Sequence, residues 1–137
     1  MPDLAPIDEA ISHSVIGAFF EVYNTLGEGF LEHVYALALE QEIRGRGHEV
    51  AREFAAPVTY KGRQLAIQRL DMVVDGRVVV EIKATLELHP TAKRQLFNYL
   101  RATNLETGLL LHFGPKPRVY RQISTNPRGG ARGQREP

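Results

Sequence analysis

The sequence predicts an α/β (α+β) fold, a mixed central β-sheet flanked by helices. Three observations lead there. Two stretches at the start carry apolar side chains at helical spacing, the middle of the chain alternates like strands, and a further helix-like stretch is followed by two short strands. That order of elements suits a sandwich of helices on a sheet better than a bundle or a pure β-fold.

Residues 7–26 place Ile7, Ala10, Ile11, Val15, Ala18, Phe19, Val22, Tyr23 and Leu26 on one wide stripe. Asp8 and Glu9 lie in the first turn, where carboxylates favour the positive end of the helix dipole. Gly27 fits just past the end. A second helix is expected over about 30–45, ending near Gly45 or Gly47. The stretch from His48 to Val74 alternates well enough for two or three strands, with turns expected near Ala56-Pro57 and Lys61-Gly62. "RVVVEIKA" is the next strand. "HPTAKRQLFNYLRATN" reads as a helix with Pro90 in its first turn and Leu96, Phe97 and Leu100 buried. "GLLLHFG" and "RVYRQI" are two more strands. Residues 1–123 are thus expected to form a single domain, and 124–137, polar and rich in Gly and Pro, a disordered tail.

Composition narrows the chemistry. No cysteine is present, which excludes disulfides and thiolate metal sites, and five scattered histidines show no metal-binding pair. The acidic opening "MPDLAPIDEA" does not have the build of a secretory signal, and no apolar run is long enough to span a bilayer. The expectation is a cytoplasmic protein without a membrane partner. A net charge of +1 means that any attraction for phosphate must be local.

The informative stretch is 70–84, "LDMVVDGRVVVEIKA", where Asp71, Glu81 and Lys83 interrupt two apolar runs around Asp75-Gly76. A two-residue turn would pair Asp71 with Val80 and Leu70 with Glu81, scrambling both faces of the hairpin. A three-residue loop repairs the pattern. Either Val74-Asp75-Gly76 or Asp75-Gly76-Arg77 serves, and the first is preferred because glycine accepts the left-handed conformation freely. Leu70, Met72 and Val74 then share a face with Val78, Val80 and Ile82. Asp71, Glu81 and Lys83 share the other. Two neighbouring carboxylates repel unless a cation or a proton lies between them, and their hard oxygens suit Mg²⁺, with Mn²⁺ as the alternative. Lys83 beside that cation completes a layout for phosphoryl chemistry.

Adding "GFLEHVY", in which Gly29, Glu32 and Tyr35 match the pattern GxxExxY, the chain resembles the GxxExxY family of the PD-(D/E)XK nuclease-like superfamily. The resemblance runs from about Ile7 to Ile123 through "YKG", "RLD", "VEIKA", "QLFNYL" and "GLLLHFG". It implies a restriction-endonuclease-like core with an extra N-terminal helix. Asp71 and Glu81, with the backbone carbonyl of Ile82, are implied as metal ligands, Lys83 as the catalytic lysine and Glu32 as the accessory carboxylate, both a catalytic group and a further metal ligand. Gln95 is implied as the helical polar residue near the scissile phosphate. Tyr99, one turn further on, falls on the same side of that helix and joins it as a substrate contact. Leu70 stands where proline often precedes the first carboxylate, without threatening the chemistry.

Some residues have plainer readings. Tyr35 is expected to pack between helix and sheet. His33 and His89 read as surface or helix-capping residues and stay out of the mechanism. Lys93, Arg94, Lys116, Arg118 and Arg121 are candidates for a phosphate-attracting rim. The expected function is metal-dependent hydrolysis of nucleic acid, DNA ahead of RNA, with a homodimer as a plausible assembly. The competing readings are a non-catalytic nucleic-acid-binding or scaffold protein on the same fold, and a hydrolase of small phosphate compounds.

Overall fold

Among residues 6–125, which the computed structural model describes, eight elements follow one another: α1 (Pro6–Leu26), α2 (Glu32–Gly45), β1 (Val50–Tyr60), β2 (Arg63–Val74), β3 (Val78–Lys83), α3 (Ala92–Thr103), β4 (Thr107–Phe113) and β5 (Pro117–Ile123). The strands form one mixed sheet in the order β1-β2-β3-β4-β5, antiparallel except for the β3–β4 pair. Helix α3 supplies the crossover that a parallel pair requires. The result is the restriction-endonuclease-like α/β arrangement.

Two cores sandwich the sheet. On one face α1 and α2 pack Val15, Phe19, Tyr35 and Leu39 against Met72, Val74, Val80, Ile82, Leu109 and Leu111. On the other, α3 packs Leu96, Tyr99 and Leu100 against Val73, Val79 and Leu110. Each large aliphatic side chain so buried stabilises the fold by about 2 kcal/mol relative to exposure. The central strands β3 and β4 are therefore apolar on both faces, whereas α1 needs only a stripe. Ile7, at the edge of that stripe, is exposed.

Several expectations need correction. No turn occurs at Ala56-Pro57: β1 runs straight through, and proline is accepted because β1 is an edge strand with no partner on its outer side. Pro90 precedes α3 rather than entering its first turn, and Tyr99 replaces the half-buried Phe97 on its buried face. The β2–β3 loop is Asp75-Gly76-Arg77, not Val74-Asp75-Gly76, since Val74 pairs with Val78. Asp75 adopts positive φ together with Gly76, held by its side chain, whose oxygens bond His48 Nδ1 at 2.6 Å and the Glu49 amide at 2.8 Å. Leu70 packs in the α3 core rather than the α1–α2 core. Leu70 pairs with Phe54, and on the next rung the β1–β2 ladder is interrupted at Glu53, opposite Asp71, where φ is 53°; this irregularity upsets simple alternation. Ser124, assigned to the tail, is buried, and its amide donates to the Glu106 carbonyl at 2.8 Å. The rest of the expected tail, from 126, lies outside the described residues.

Candidate active site

The β2–β3 ladder is regular from Val74↔Val78 to Met72↔Val80. At the next rung Asp71 faces Glu81, and side chains take over from backbone. The Asp71 amide donates to Glu81 Oε2 at 3.0 Å, and the Ile82 amide donates to Asp71 Oδ2 at 2.7 Å. The strands part here, and two carboxyls fill the opening. The amide and carbonyl of one strand residue point toward the same neighbour, so the Ile82 carbonyl faces this opening as well.

Burial dominates the electrostatics. Glu81 is almost fully enclosed, and its pKa is pushed up to about 8, first by burial and then by the charge of Asp71; the Asp71 amide and Lys83 pull the other way. Asp71 is also raised by burial, against the Ile82 amide and the Lys83 ammonium. Tyr99, reaching down from α3, has its phenol raised by burial and by the charges of Glu81 and Asp71. Glu32 enters from the first turn of α2, its carboxyl raised by burial and by Asp71 and lowered by Lys83. These mutual influences place Asp71, Glu81, Lys83, Glu32 and Tyr99 in one neighbourhood.

Above it lies an open cleft of about 620 Å³, lined by Glu32, Lys83 and Gln95 together with the 85–91 loop. Glu32 owes its place to the rest of its signature. Gly29 sits at φ 104°, and the Tyr35 hydroxyl donates to the Gly27 carbonyl while accepting from the Phe30 amide at 3.2 Å. Tyr35 is itself fixed, fully buried and stacked on Phe113 with ring centroids 4.1 Å apart. This fastening sets where α2 begins, and Glu32 is its first residue.

The donors suit a hard divalent cation. A buried and a half-buried carboxyl at facing positions, each holding a backbone amide, repel unless a proton or a cation lies between them. Among the described residues no group of three His, Cys, Asp or Glu converges as a ready-made metal cluster. The carboxyl pair and a carbonyl would leave the remaining positions to water, which is the habit of Mg²⁺.

Other expected site residues do not gather here. The Lys93 ammonium lies 4.0 Å over the Tyr120 ring and Arg94 packs over Phe97; neither lines the cleft. Arg121 pairs with Leu109, whose side chain belongs to the α1–α2 core, so it falls on the face of the sheet opposite Glu81. Strand parity excludes it from the site. His89 lines the cleft as a local cap, its Nδ1 accepting from the Thr91 amide at 3.1 Å.

One residue of consequence was missed. His112, on β4 beside Lys83, is buried, and its Nε2 lies 2.8 Å from the Thr85 carbonyl. Only Gly114 allows this, because a β-carbon there would come within 2.8 Å of the ring. The signal was present in "GLLLHFG": a histidine inside a buried run demands a partner.

Among solved structures, the chain is similar to the crystal structure of SSO0001, with 22% identity, a TM-score of 0.55, and coverage of 68% of this chain and 50% of that one. This likeness is one of fold, and the chain spans half the length of that protein. No curated protein matches. Residues 9–123 match the family model of the PD-(D/E)XK nuclease superfamily, and the chain belongs to that superfamily.

Proposed function

We propose that this chain is a GxxExxY-type member of the superfamily and a metal-dependent nuclease, acting on DNA in preference to RNA. The observation that carries the reading is the enclosed Asp71–Glu81 pair, with Lys83 beside it at the edge of an open cleft. Asp71, Glu81 and the Ile82 carbonyl would hold Mg²⁺ or Mn²⁺. When bound, the ion lowers the pKa of water and polarises a phosphate oxygen.

The chain's own groups do the rest. The Asp71 and Ile82 amides each hold one carboxylate oxygen, leaving the second oxygen of each side chain for the ion. Lys83 orients the attacking water and offsets negative charge developing on the phosphate. Glu32, across the cleft, accepts a hydrogen bond from that water. Gln95 donates its amide to a phosphate oxygen. Tyr99, almost fully buried beside the pair, has little surface left for gripping substrate. Lys93 and Arg94 contribute only charge along the outer face of α3. In this reading residues 1–123 form a single catalytic domain, working in the cytoplasm, with a homodimer offering one cleft to each strand of a duplex.

The test is a cleavage screen over single-stranded, duplex and branched DNA and RNA with Mg²⁺, Mn²⁺ or chelator. Glu81→Ala and Lys83→Ala should each lose at least about 10²-fold in rate, the scale of one key electrostatic group. Cutting that survives both changes sinks the assignment. Metal-independent binding without turnover would instead favour the scaffold reading.

A further inference from the structure

Strands β2 and β3 do not end together. From Leu70, β2 continues back to Arg63, paired with β1 except at Leu65, where the register shifts between Val58 and Thr59, whereas β3 stops at Lys83. The two run antiparallel, so this overhang projects past Lys83 at the end of the sheet where the cleft opens. At about 3.3 Å per residue it reaches roughly 20 Å beyond that end.

The composition of this arm is unusual for the chain. Residues 54–70 hold Lys61, Arg63 and Arg69 and no Asp or Glu, although the whole sequence nearly balances 17 basic against 16 acidic residues. Ala56 and Leu70 at its base are buried, but toward the tip its apolar side chains bury little: Tyr60 is 60% exposed, Leu65 61% and Ile67 54%. The pairs Pro57↔Ile67 and Ala55↔Arg69 put exposed apolar groups and a guanidinium on one face. At the tip, Lys61 sits 5.4 Å over the Tyr60 ring. The outer edge of β1 is poorly suited to pairing with another strand, because Pro57 lacks a donor and Glu53 breaks the ladder with positive φ. The arm is built to insert, not to extend a sheet.

We infer that the β1–β2 arm is a ribbon that enters the major groove of duplex DNA beside the phosphodiester held in the cleft, an inference that rests on the nuclease reading. The major groove of B-form DNA, about 12 Å wide, admits a two-stranded ribbon, while the deep and narrow major groove of duplex RNA does not. Lys61, Arg63 and Arg69 meet phosphates on the groove walls, and Leu65 and Ile67 lie against base edges, where thymine methyl groups offer apolar contact.

The experiment uses the full chain and a variant carrying Lys61→Ala, Arg63→Ala and Arg69→Ala. Binding to a labelled duplex of about 20 base pairs, roughly two helical turns, is followed by fluorescence anisotropy in chelator across a salt series. Matched duplex RNA and single-stranded DNA serve as comparisons. The unsubstituted chain should bind duplex DNA most tightly. The variant, with an unchanged melting temperature, should bind it at least about tenfold more weakly, its salt dependence shallower by about 0.9 for each phosphate that it no longer neutralises. An unchanged salt dependence, or equal affinity of the unsubstituted chain for duplex RNA, overturns the inference. So does a dimer in sedimentation that Leu65→Ser and Ile67→Ser dissolve while DNA binding persists; the arm would then join two copies. Failure of Glu81→Ala to reduce cleavage, with arm-dependent binding intact, strikes the nuclease reading and leaves the arm standing.

Discussion

Asp71 and Glu81 face each other at the first rung where the β2–β3 ladder stops, and each carboxyl accepts a backbone amide that a strand carbonyl would otherwise take: Ile82 N–H to Asp71 at 2.7 Å, Asp71 N–H to Glu81 at 3.0 Å. The pair is thus fixed in place by its own strands. It is also enclosed, so its negative charge is held at a cost that a proton or a cation must relieve.

Stability of the metal-free protein should fall as pH rises. Folding lifts Glu81 from 4.5 to about 8, so between those values the folded chain keeps a proton that the unfolded chain has lost. Fewer protons on the unfolded state make the slope of unfolding free energy with pH negative. The penalty is absent below about pH 4.5 and complete above about pH 8. Urea denaturation in chelator from pH 5 to 8.5 checks this, and Glu81→Gln should flatten the profile and be the more stable protein at the alkaline end. Parallel profiles for the two would contradict it.

Binding of Mn²⁺ should displace that proton. Calorimetry in two buffers of different ionisation enthalpy should show about one proton released per ion, with affinity rising about tenfold per pH unit from 6 to 8. Asp71→Asn should abolish the binding, because one carboxylate and a carbonyl are too few anchors.

Tyr35→Phe removes from a fully buried side chain the hydroxyl that bridges the Gly27 carbonyl and the Phe30 amide. A loss of about 1–3 kcal/mol in stability is expected from the groups left unpaired. Faster hydrogen exchange at the Phe30 amide and a fall in cleavage rate of about tenfold should accompany it, since Glu32 starts the helix that this loop aims. Normal exchange at Phe30 with reduced activity would give Tyr35 a different role.

Gly108→Ala should loosen the seat of α3. A β-carbon there would lie 2.8 Å from Leu96 Cδ1 and 3.3 Å from Leu100 Cδ2, both enclosed between helix and sheet. Overpacking of this kind costs about 1–3 kcal/mol. The urea midpoint should drop accordingly, and cleavage should weaken as Gln95 and Tyr99 shift with the helix.

Much of the fold was legible because periodicity is a local property. Helical spacing located α1 and α2, and the parity of one hairpin put Asp71 and Glu81 on one face as direct or diagonal neighbours, although the preferred loop was one residue out of place. What failed was not local. Pro57 looked like a turn because its tolerance depends on β1 being an edge, and Arg121 looked like a rim cation because nothing in "RVYRQI" says which face of the sheet it will take. His112 passed unnoticed because its partner is the Thr85 carbonyl, distant in sequence.

By itself, then, the sequence determined the order and type of elements, the presence of two carboxylates and an amine on one face of a hairpin, and the hard-oxygen chemistry they favour. These follow from residue spacing and from what each side chain can donate or accept. Only the tertiary structure decided how strongly those groups perturb one another, which helix overlies them, and that β1 and β2 reach past the cleft as an arm. Burial, strand order and the end point of each strand depend on contacts between segments far apart in the chain, and such contacts leave no mark on local spacing.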